Sequence, residues 1–269
     1  MDEDEWRELN VRHWDELVPI HLQGAFHDVS GFLAGGSTLR PFERAELGPV
    51  AGLKLVHAQC HFGLDTLSWA REGAAVTGFD FSAAAVREAR DLAQRARLTA
   101  EFLEADVYDA IDALGGRTFD VVYTGIGAIH WLPDITRWAE VMARLLAPGG
   151  RFYMAEFHPF ASVFADDELI AVDSYFDPGP HIHTSAGSYA DPTAQTTQNT
   201  RVTWNHVLGD VVTSLAEAGL VIELLREHPV ALRACWPFLE RSVDGTYRAP
   251  SGRPDLPLLY SVRARRPSS

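Results

Sequence analysis

From Gly52 onward, short apolar runs rich in β-branched residues alternate with stretches of helical periodicity, the mark of parallel βαβ units. The pattern predicts strands over 54–58, 75–80, 101–105, 119–124 and 151–158, with helices over 64–72, 83–96 and 135–146 between them. The last of these helices runs into Ala147-Pro-Gly-Gly150, a helix stop and turn that feeds the next strand. Upstream, Trp6, Leu9, Val11, His13, Trp14, Leu17 and Val18 recur at helical spacing. They predict an amphipathic helix that Pro19 stops. A glycine-rich loop over 31–41 then leads to a short helix over 42–47.

Between 159 and 203 the alternation breaks. Pro178, Gly179, Pro180, Gly187 and Pro192 interrupt it, and aromatic and histidine residues are scattered through it. A segment this long is a lid or carries local strands of its own. Regularity returns with a helix over 205–218, a strand over 220–227, a proline-rich connection and a final strand over 258–265. The expected organisation is an α/β chain with residues 1–50 as a helical cap, 51–269 as one domain, and 159–203 as an insertion after the fifth strand.

Composition narrows the functional classes. With 37 Asp and Glu against 23 Lys and Arg, the net charge of −14 repels a phosphate backbone, so no nucleic-acid partner is expected. The compact basic run Arg263-Ala-Arg-Arg266 reads as a solvated strand end. No apolar run approaches the ~20 residues that cross a bilayer, so no membrane partner is expected either. The acidic start, Met1-Asp-Glu-Asp-Glu-Trp6, is unlike a secretory leader, and a cytoplasmic location is the expectation. Cys60 and Cys235 lack the paired spacing of a zinc site and read as free thiols.

The chemistry-bearing residues gather at predicted strand ends, where open α/β sheets bind ligands. The first strand runs through Val56-His-Ala-Gln-Cys-His-Phe-Gly63 directly into a helix, and the second ends in Gly78-Phe-Asp80-Phe-Ser82. An acid about twenty residues past such a turn suits two ribose hydroxyls, and Ser82 suits a helix cap. The third strand ends in Glu104-Ala-Asp106-Val107, and the fourth continues as Phe119-Asp-Val-Val-Tyr-Thr-Gly-Ile-Gly-Ala-Ile-His-Trp-Leu132.

This ordered series, from about Leu53 to His158, resembles the class I (Rossmann-like) S-adenosylmethionine-dependent methyltransferases, of the small-molecule, actinobacterial type. Arg40-Pro-Phe-Glu43, Glu156-Phe-His-Pro159, Gly187-Ser-Tyr-Ala-Asp191 and Trp204-Asn-His206 resemble that group too. The resemblance implies a seven-stranded, mostly parallel sheet with helices on both faces and the last strand antiparallel, and S-adenosylmethionine across the strand ends. It implies that Gln59, Cys60 and Gly63 face the methionine portion, Asp80 the ribose with Ser82 beside it, and Phe81 an adenine face. Asp106 and Val107 would meet the adenine edge, and Tyr123, Thr124 and Gly125 would lie below the sulfonium. One departure stands out. The family's first motif usually reads Asp/Glu-x-Gly-x-Gly-x-Gly, and here those positions hold His57, Gln59, His61 and Gly63. The usual acceptor for the cofactor's ammonium is therefore replaced, and Gln59 is a candidate to take over. Arg40 is a candidate partner for the cofactor's carboxylate, and Trp14 or His13 for contact from the N-terminal helix.

Methyl transfer needs the nucleophile, the methyl carbon and the sulfur nearly collinear, and a base only where the nucleophile arrives protonated. His158 and His206 are the candidate bases, because imidazole titrates near neutrality, with Glu156 on the same strand face as His158 to orient it. Tyr175, Tyr189 and Trp204 are the candidate lining for a flat acceptor. His181 and His183 form a weak metal pattern, and no metal is expected. The acceptor is expected to be a small, aromatic or heterocyclic molecule methylated on oxygen or nitrogen, and a homodimer is compatible with the pattern. A catalytically silent binding or oligomerisation module and a nicotinamide-dependent oxidoreductase are the alternatives. The second suits the first motif poorly, because pyrophosphate approach wants glycine at positions 59 and 61.

Overall fold

The computed structural model describes residues 2–165 and 167–268. Its frame is a seven-stranded sheet. The first strand, β1 (Lys54–Ala58), pairs in parallel with β2 (Ala75–Asp80) on one side and with β4 (Phe119–Thr124) on the other. Beyond β2 lies β3 (Ala100–Glu104), and beyond β4 lies β5 (Leu146–Phe157), both again parallel. The late strands β8 (Val221–His228) and β11 (Leu259–Arg265) complete the order β3-β2-β1-β4-β5-β11-β8, with β11 antiparallel to both of its neighbours.

The central strands read as continuous apolar runs because both faces are covered. Successive side chains go to opposite faces: Val56, Ala58 and Val122 join one core cluster, Leu55, Val121 and Tyr123 the other. On the first face α7 (Ile135–Leu145) contributes Trp138 and Met142, and α8 (Leu208–Glu217) contributes Val211 and Leu215. On the opposite face α3 (Pro41–Leu47) contributes Leu47, and α4 (Leu64–Arg71) contributes Trp69. A third cluster joins α4 to α5 (Ala83–Ala96) and to α2 (Val29–Leu33), and the short α6 (Ala110–Ala113) follows β3. Among the described residues, no helix is long and apolar enough to cross a membrane.

The first helix departs from expectation. α1 spans Glu3–Gln23 and passes straight through Pro19. Proline removes one backbone donor, and here the turns on both sides are held independently. The Asp15 carboxylate accepts from the Ser82 hydroxyl (2.5 Å) and the Ala84 N–H (3.2 Å), while Leu17, Val18 and His21 are buried. The Gly24 N–H closes the end on Ile20 O at 3.0 Å.

The insertion contains a hairpin, β6 (His181–Thr184) with β7 (Thr200–Thr203), that docks on α1. Asn10 acts there as a substitute strand. Its carboxamide donates to Val202 O and accepts from Val202 N–H, both at 2.9 Å. Glu16 accepts from the backbone N–H groups of Thr197 and Gln198. In the proline-rich connection a second small pair, β9 (Glu240–Arg241) with β10 (Tyr247–Arg248), appears where the sequence pattern predicted only a link.

Candidate cofactor and acceptor site

The parallel strands β1, β2, β3 and β4 all end at one edge of the sheet, and a cavity of about 930 Å³, including its open mouth, lies above them. The floor begins with the turn after β1. Gly63 has φ +81°, and a Cβ there would sit 2.7 Å from the Phe102 ring, so only glycine fits. Gln59 (φ +57°) and His61 (φ +51°) also hold left-handed backbone. The two motif positions where glycine is usual therefore keep the glycine conformation while carrying side chains. Each costs about 1 kcal/mol of backbone strain.

Those side chains, and those of neighbouring strand ends, define the wall. The Gln59 amide donates to Ala128 O at 3.0 Å, while its Oε1 is buried with no partner among the described residues. Asp65, in the first turn of α4, accepts from the Thr38 hydroxyl, and its Oδ2 lies 3.6 Å from where a Cβ on Gly125 would be. Burial raises the Asp65 carboxyl, and Arg40 acts on it only through space. Glu43 beneath it is pushed up to about 7 by burial and by the charge of Asp65. His57 is tied through Nδ1 to the Thr66 hydroxyl at 2.8 Å, and burial depresses it to about 3, so it is neutral.

At the end of β2, Asp80 accepts from the His61 N–H at 2.7 Å and the Ser82 N–H at 2.9 Å. Burial lifts its carboxyl to about 6. Ser82 caps α5 through the Ala85 N–H, at 3.0 Å. Asp106 accepts from the Tyr108 N–H at 2.8 Å, and its other oxygen is held by Arg7 Nε of α1, also at 2.8 Å. Phe81, Cys60, Val107 and Gly125 line the same cavity. Burial pushes the Cys60 thiol well up, so it stays protonated. Tyr123 and Thr124 do not reach the cavity: the Tyr123 hydroxyl donates to Glu43 at 2.6 Å and the Thr124 hydroxyl points to the Met142 sulfur.

The opposite wall is aromatic. Trp6 and Trp14 of α1, Trp131 after β4, and Tyr189 of the insertion line it, with the Trp14 ring centre 5.1 Å from those of both Trp131 and His61. Trp14 touches the cavity as the sequence suggested, whereas His13 is turned to Gln198 O at 2.7 Å. Arg40 is the N-terminal cap residue of α3, its N–H donating to Glu43.

The acceptor-side expectations fare differently. His158 and His206 lie outside the cavity lining and do not share a cleft there. His158 accepts from the Phe160 N–H at Nδ1 (3.1 Å) and pairs with Glu227 at Nε2 (2.9 Å), so both nitrogens are committed. His206 Nε2 donates to Leu132 O at 2.7 Å. Glu156 does not orient His158; it accepts from the N–H groups of Gly127, Ala128, Ile129 and Phe157 and so fixes the loop after β4. Trp204 packs edge-on against Trp6 at 5.2 Å in the core, and the Tyr175 hydroxyl accepts from the Leu208 N–H. Of the three proposed lining residues, only Tyr189 lines the cavity. Asp65, His61, Trp6, Trp131 and Leu132 were not singled out as site residues. The aromatic stripe of α1 pointed toward Trp6, the first-motif departure toward His61, and the fourth-strand motif ran through Trp131 and Leu132.

An open sheet of this order, with an acid at the second strand end and a cavity beside it, is the frame on which α/β proteins hold nucleoside cofactors. Residues 56–152 match the family model described as a methyltransferase domain. Two curated relatives are ubiquinone biosynthesis O-methyltransferases. That from a Methylobacterium strain is 28% identical over 154 residues, covering 56% of this chain and 61% of its own. That from Pectobacterium atrosepticum is 33% identical over 147 residues, covering 54% and 55%. The alignments thus span less than two thirds of the length of these relatives. An S-adenosylmethionine-dependent methyltransferase from Mesorhizobium loti superposes with a TM-score of 0.61 at 25% identity, over 87% of this chain and 100% of that one. Over residues 56–152 the chain is thus similar to methyltransferase domains, and its sheet has the Rossmann-like methyltransferase fold.

Proposed function

We propose that the chain transfers a methyl group from S-adenosylmethionine to an oxygen or nitrogen of a small aromatic or heterocyclic acceptor. The observation that carries this is one cavity gathering Asp80, Asp106, Gly125, the unpartnered Gln59 Oε1 and Asp65, which accepts from the Thr38 hydroxyl, at the ends of parallel strands. A buried acceptor without a donor, beside a carboxylate with spare lone pairs, calls for a ligand that donates, and an ammonium group does so with full charge. Asp65 and Gln59 would take the ammonium in place of the acid usual at position 57, Asp80 the ribose hydroxyls, and Val107 with Phe81 the adenine. Asp106 has one oxygen already held by Arg7, so its second lone pairs serve the adenine edge.

S-adenosylmethionine, when bound, supplies an electrophilic methyl group on a sulfonium. The chain's own residues align and enclose: Trp6, Trp14, Trp131 and Tyr189 exclude water and present aromatic faces that favour a cation. The apolar side formed by Ile126, Leu132 and Trp131 suits a flat ring. The curated relatives named for ubiquinone biosynthesis make phenolic acceptors the first class to try.

Calorimetry with S-adenosylmethionine and S-adenosylhomocysteine is the first test, followed by radiolabelled methyl transfer to a panel of phenols and heterocyclic amines. Binding of both cofactors followed by transfer to one acceptor class is expected. Absence of binding to either cofactor would sink the reading and favour a silent module.

A further inference from the structure

Three histidines far apart in sequence meet at the outer edge of the cavity. His21 lies in the last turn of α1, His27 in the segment before α2, and His61 in the turn after β1. One ring nitrogen from each lies within 4.8 Å of the other two. His21 Nδ1 is 3.4 Å from His61 Nε2. The ring centres are 5.0 Å apart for His21 and His27, 5.2 Å for His21 and His61, and 5.6 Å for His27 and His61. The Tyr189 hydroxyl completes the group, 3.0 Å from His27 Nε2 and 3.5 Å from His21 Nδ1.

The His21–His61 nitrogen spacing and the three ring-centre spacings match a coordination sphere. Around a tetrahedral ion with metal–nitrogen bonds of about 2.0–2.1 Å, neighbouring donor atoms sit about 3.4 Å apart and imidazole centres about 5 Å apart. A second feature orients the set. His21 Nε2 is 2.7 Å from the buried Ser188 hydroxyl, and donation there leaves the Nδ1 lone pair directed at the cluster, as the outer partners of metal-binding histidines do. Burial keeps His21 near 3, His27 near 4 and His61 well below its ordinary value, so all three rings are in the neutral form that a metal takes.

We propose that His21, His27 and His61 bind one divalent transition-metal ion of the zinc type, with the Tyr189 hydroxyl at the fourth position. The site stands on the cavity wall, since His61 and Tyr189 line that cavity. It ties together the N-terminal helix, the first motif and the insertion. It also gives His61 a role at a position where the family usually has glycine. This site is distinct from His181 and His183, whose ring centres are 6.5 Å apart on the exposed hairpin.

The test uses the full chain, stripped with a chelator and dialysed against zinc or cobalt(II). One ion per chain by elemental analysis is expected, with the visible absorption of four-coordinate cobalt(II). His21→Ala, His27→Ala and His61→Ala should each weaken zinc binding by more than about 100-fold, and Ser188→Ala by about 10-fold. Tyr189→Phe, which keeps the ring packing, should retain the ion and shift the cobalt spectrum. The double variant His181→Ala/His183→Ala should still hold one ion. A wild-type chain that takes up no stoichiometric metal overturns the proposal. So does a set of folded histidine variants, checked by circular dichroism, that binds zinc as the wild type does. Calorimetry with S-adenosylhomocysteine on the same samples keeps this outcome separate from the cofactor reading: histidine variants that lose S-adenosylhomocysteine affinity while the wild type takes no metal would assign the cluster to the cofactor's carboxylate and overturn the metal site.

Discussion

Asp65 is a carboxylate set in a cavity wall with a threonine hydroxyl as its only hydrogen-bond partner among the described residues, next to a second buried acid, Glu43. That arrangement is unfavourable until a cation arrives, and in the proposed function that cation is the methionine ammonium. Asp65→Asn should therefore weaken S-adenosylhomocysteine binding by about 10- to 100-fold, the worth of one charge-assisted hydrogen bond. Binding of methylthioadenosine, which lacks the amino-acid end, should not change. Equal losses for both ligands in calorimetry would remove Asp65 from this role. Asp80 gives a pH signature. Its carboxyl, lifted to about 6 by burial, is protonated below that value in the free protein and accepts ribose hydroxyls best when charged. Affinity for S-adenosylhomocysteine should rise between pH 5 and 7, and Asp80→Asn should flatten that rise. Asp80 was legible in the sequence because its distance from the turn is a fixed consequence of one βα unit. Asp65 was not, because an acid in the first turn of a helix is ordinary there and only the fold shows what it faces.

The turn after β1 shows what elements take from their residues. Backbone shape survives at Gln59 and His61 although the side chains are atypical, because the strand ahead and the helix behind dictate the path. Gly63 has no such latitude. Gly63→Ala adds left-handed strain and drives a methyl group into the Phe102 ring, so a loss of about 2–4 kcal/mol and a clear fall in melting temperature are expected. A variant melting like the wild type would mean that Phe102 moves freely, contrary to its burial in the α4–α5 cluster. Apolar periodicity recovered β1, β2, β4, α5 and the start of α7 to the residue, because both-face burial leaves a continuous apolar signature. It stopped α1 at Pro19 because the contacts that hold the helix past that point come from Ser82 and Ala84, which a local pattern does not reveal. The hairpin of the insertion was hidden for a similar reason. Its strands are four residues each and half exposed, too short for a clear period of two.

At the scale of the whole molecule, buried titratable groups decide the response to acid. His21, His27, His57 and His130 are held neutral by burial, with values of about 3, 4, 3 and 3, and His61 is held well below its ordinary value. The unfolded chain protonates them from about pH 6.5 downward, so each contributes stability that is lost as the pH falls through that window. Asp80, Glu43 and Glu156 act in the opposite sense, because burial raises them to about 6, 7 and 7 and the folded state holds their protons more tightly. With Asp65 also raised by burial, five histidines against four carboxyls leave a net uptake of protons on unfolding. The melting temperature of the ligand-free protein should fall between pH 6.5 and 5, measured at constant ionic strength. A flat or rising profile would show that the carboxyls dominate.

The clasp between Asn10 and Val202 joins residues separated by 192 positions. Synthesis releases α1 first, yet its substitute strand pairing has no partner until β7 has left the ribosome, some three quarters of the way along the chain. Of the described helices, α1 thus gains this clasp only once β7 is made, and the roof that it builds over the cavity with Trp6 and Trp14 waits on the insertion. A nascent chain arrested before Thr200 would carry the carboxylates of β2 and β3 on an unroofed sheet edge, with the apolar stripe of α1 left for chaperones to cover.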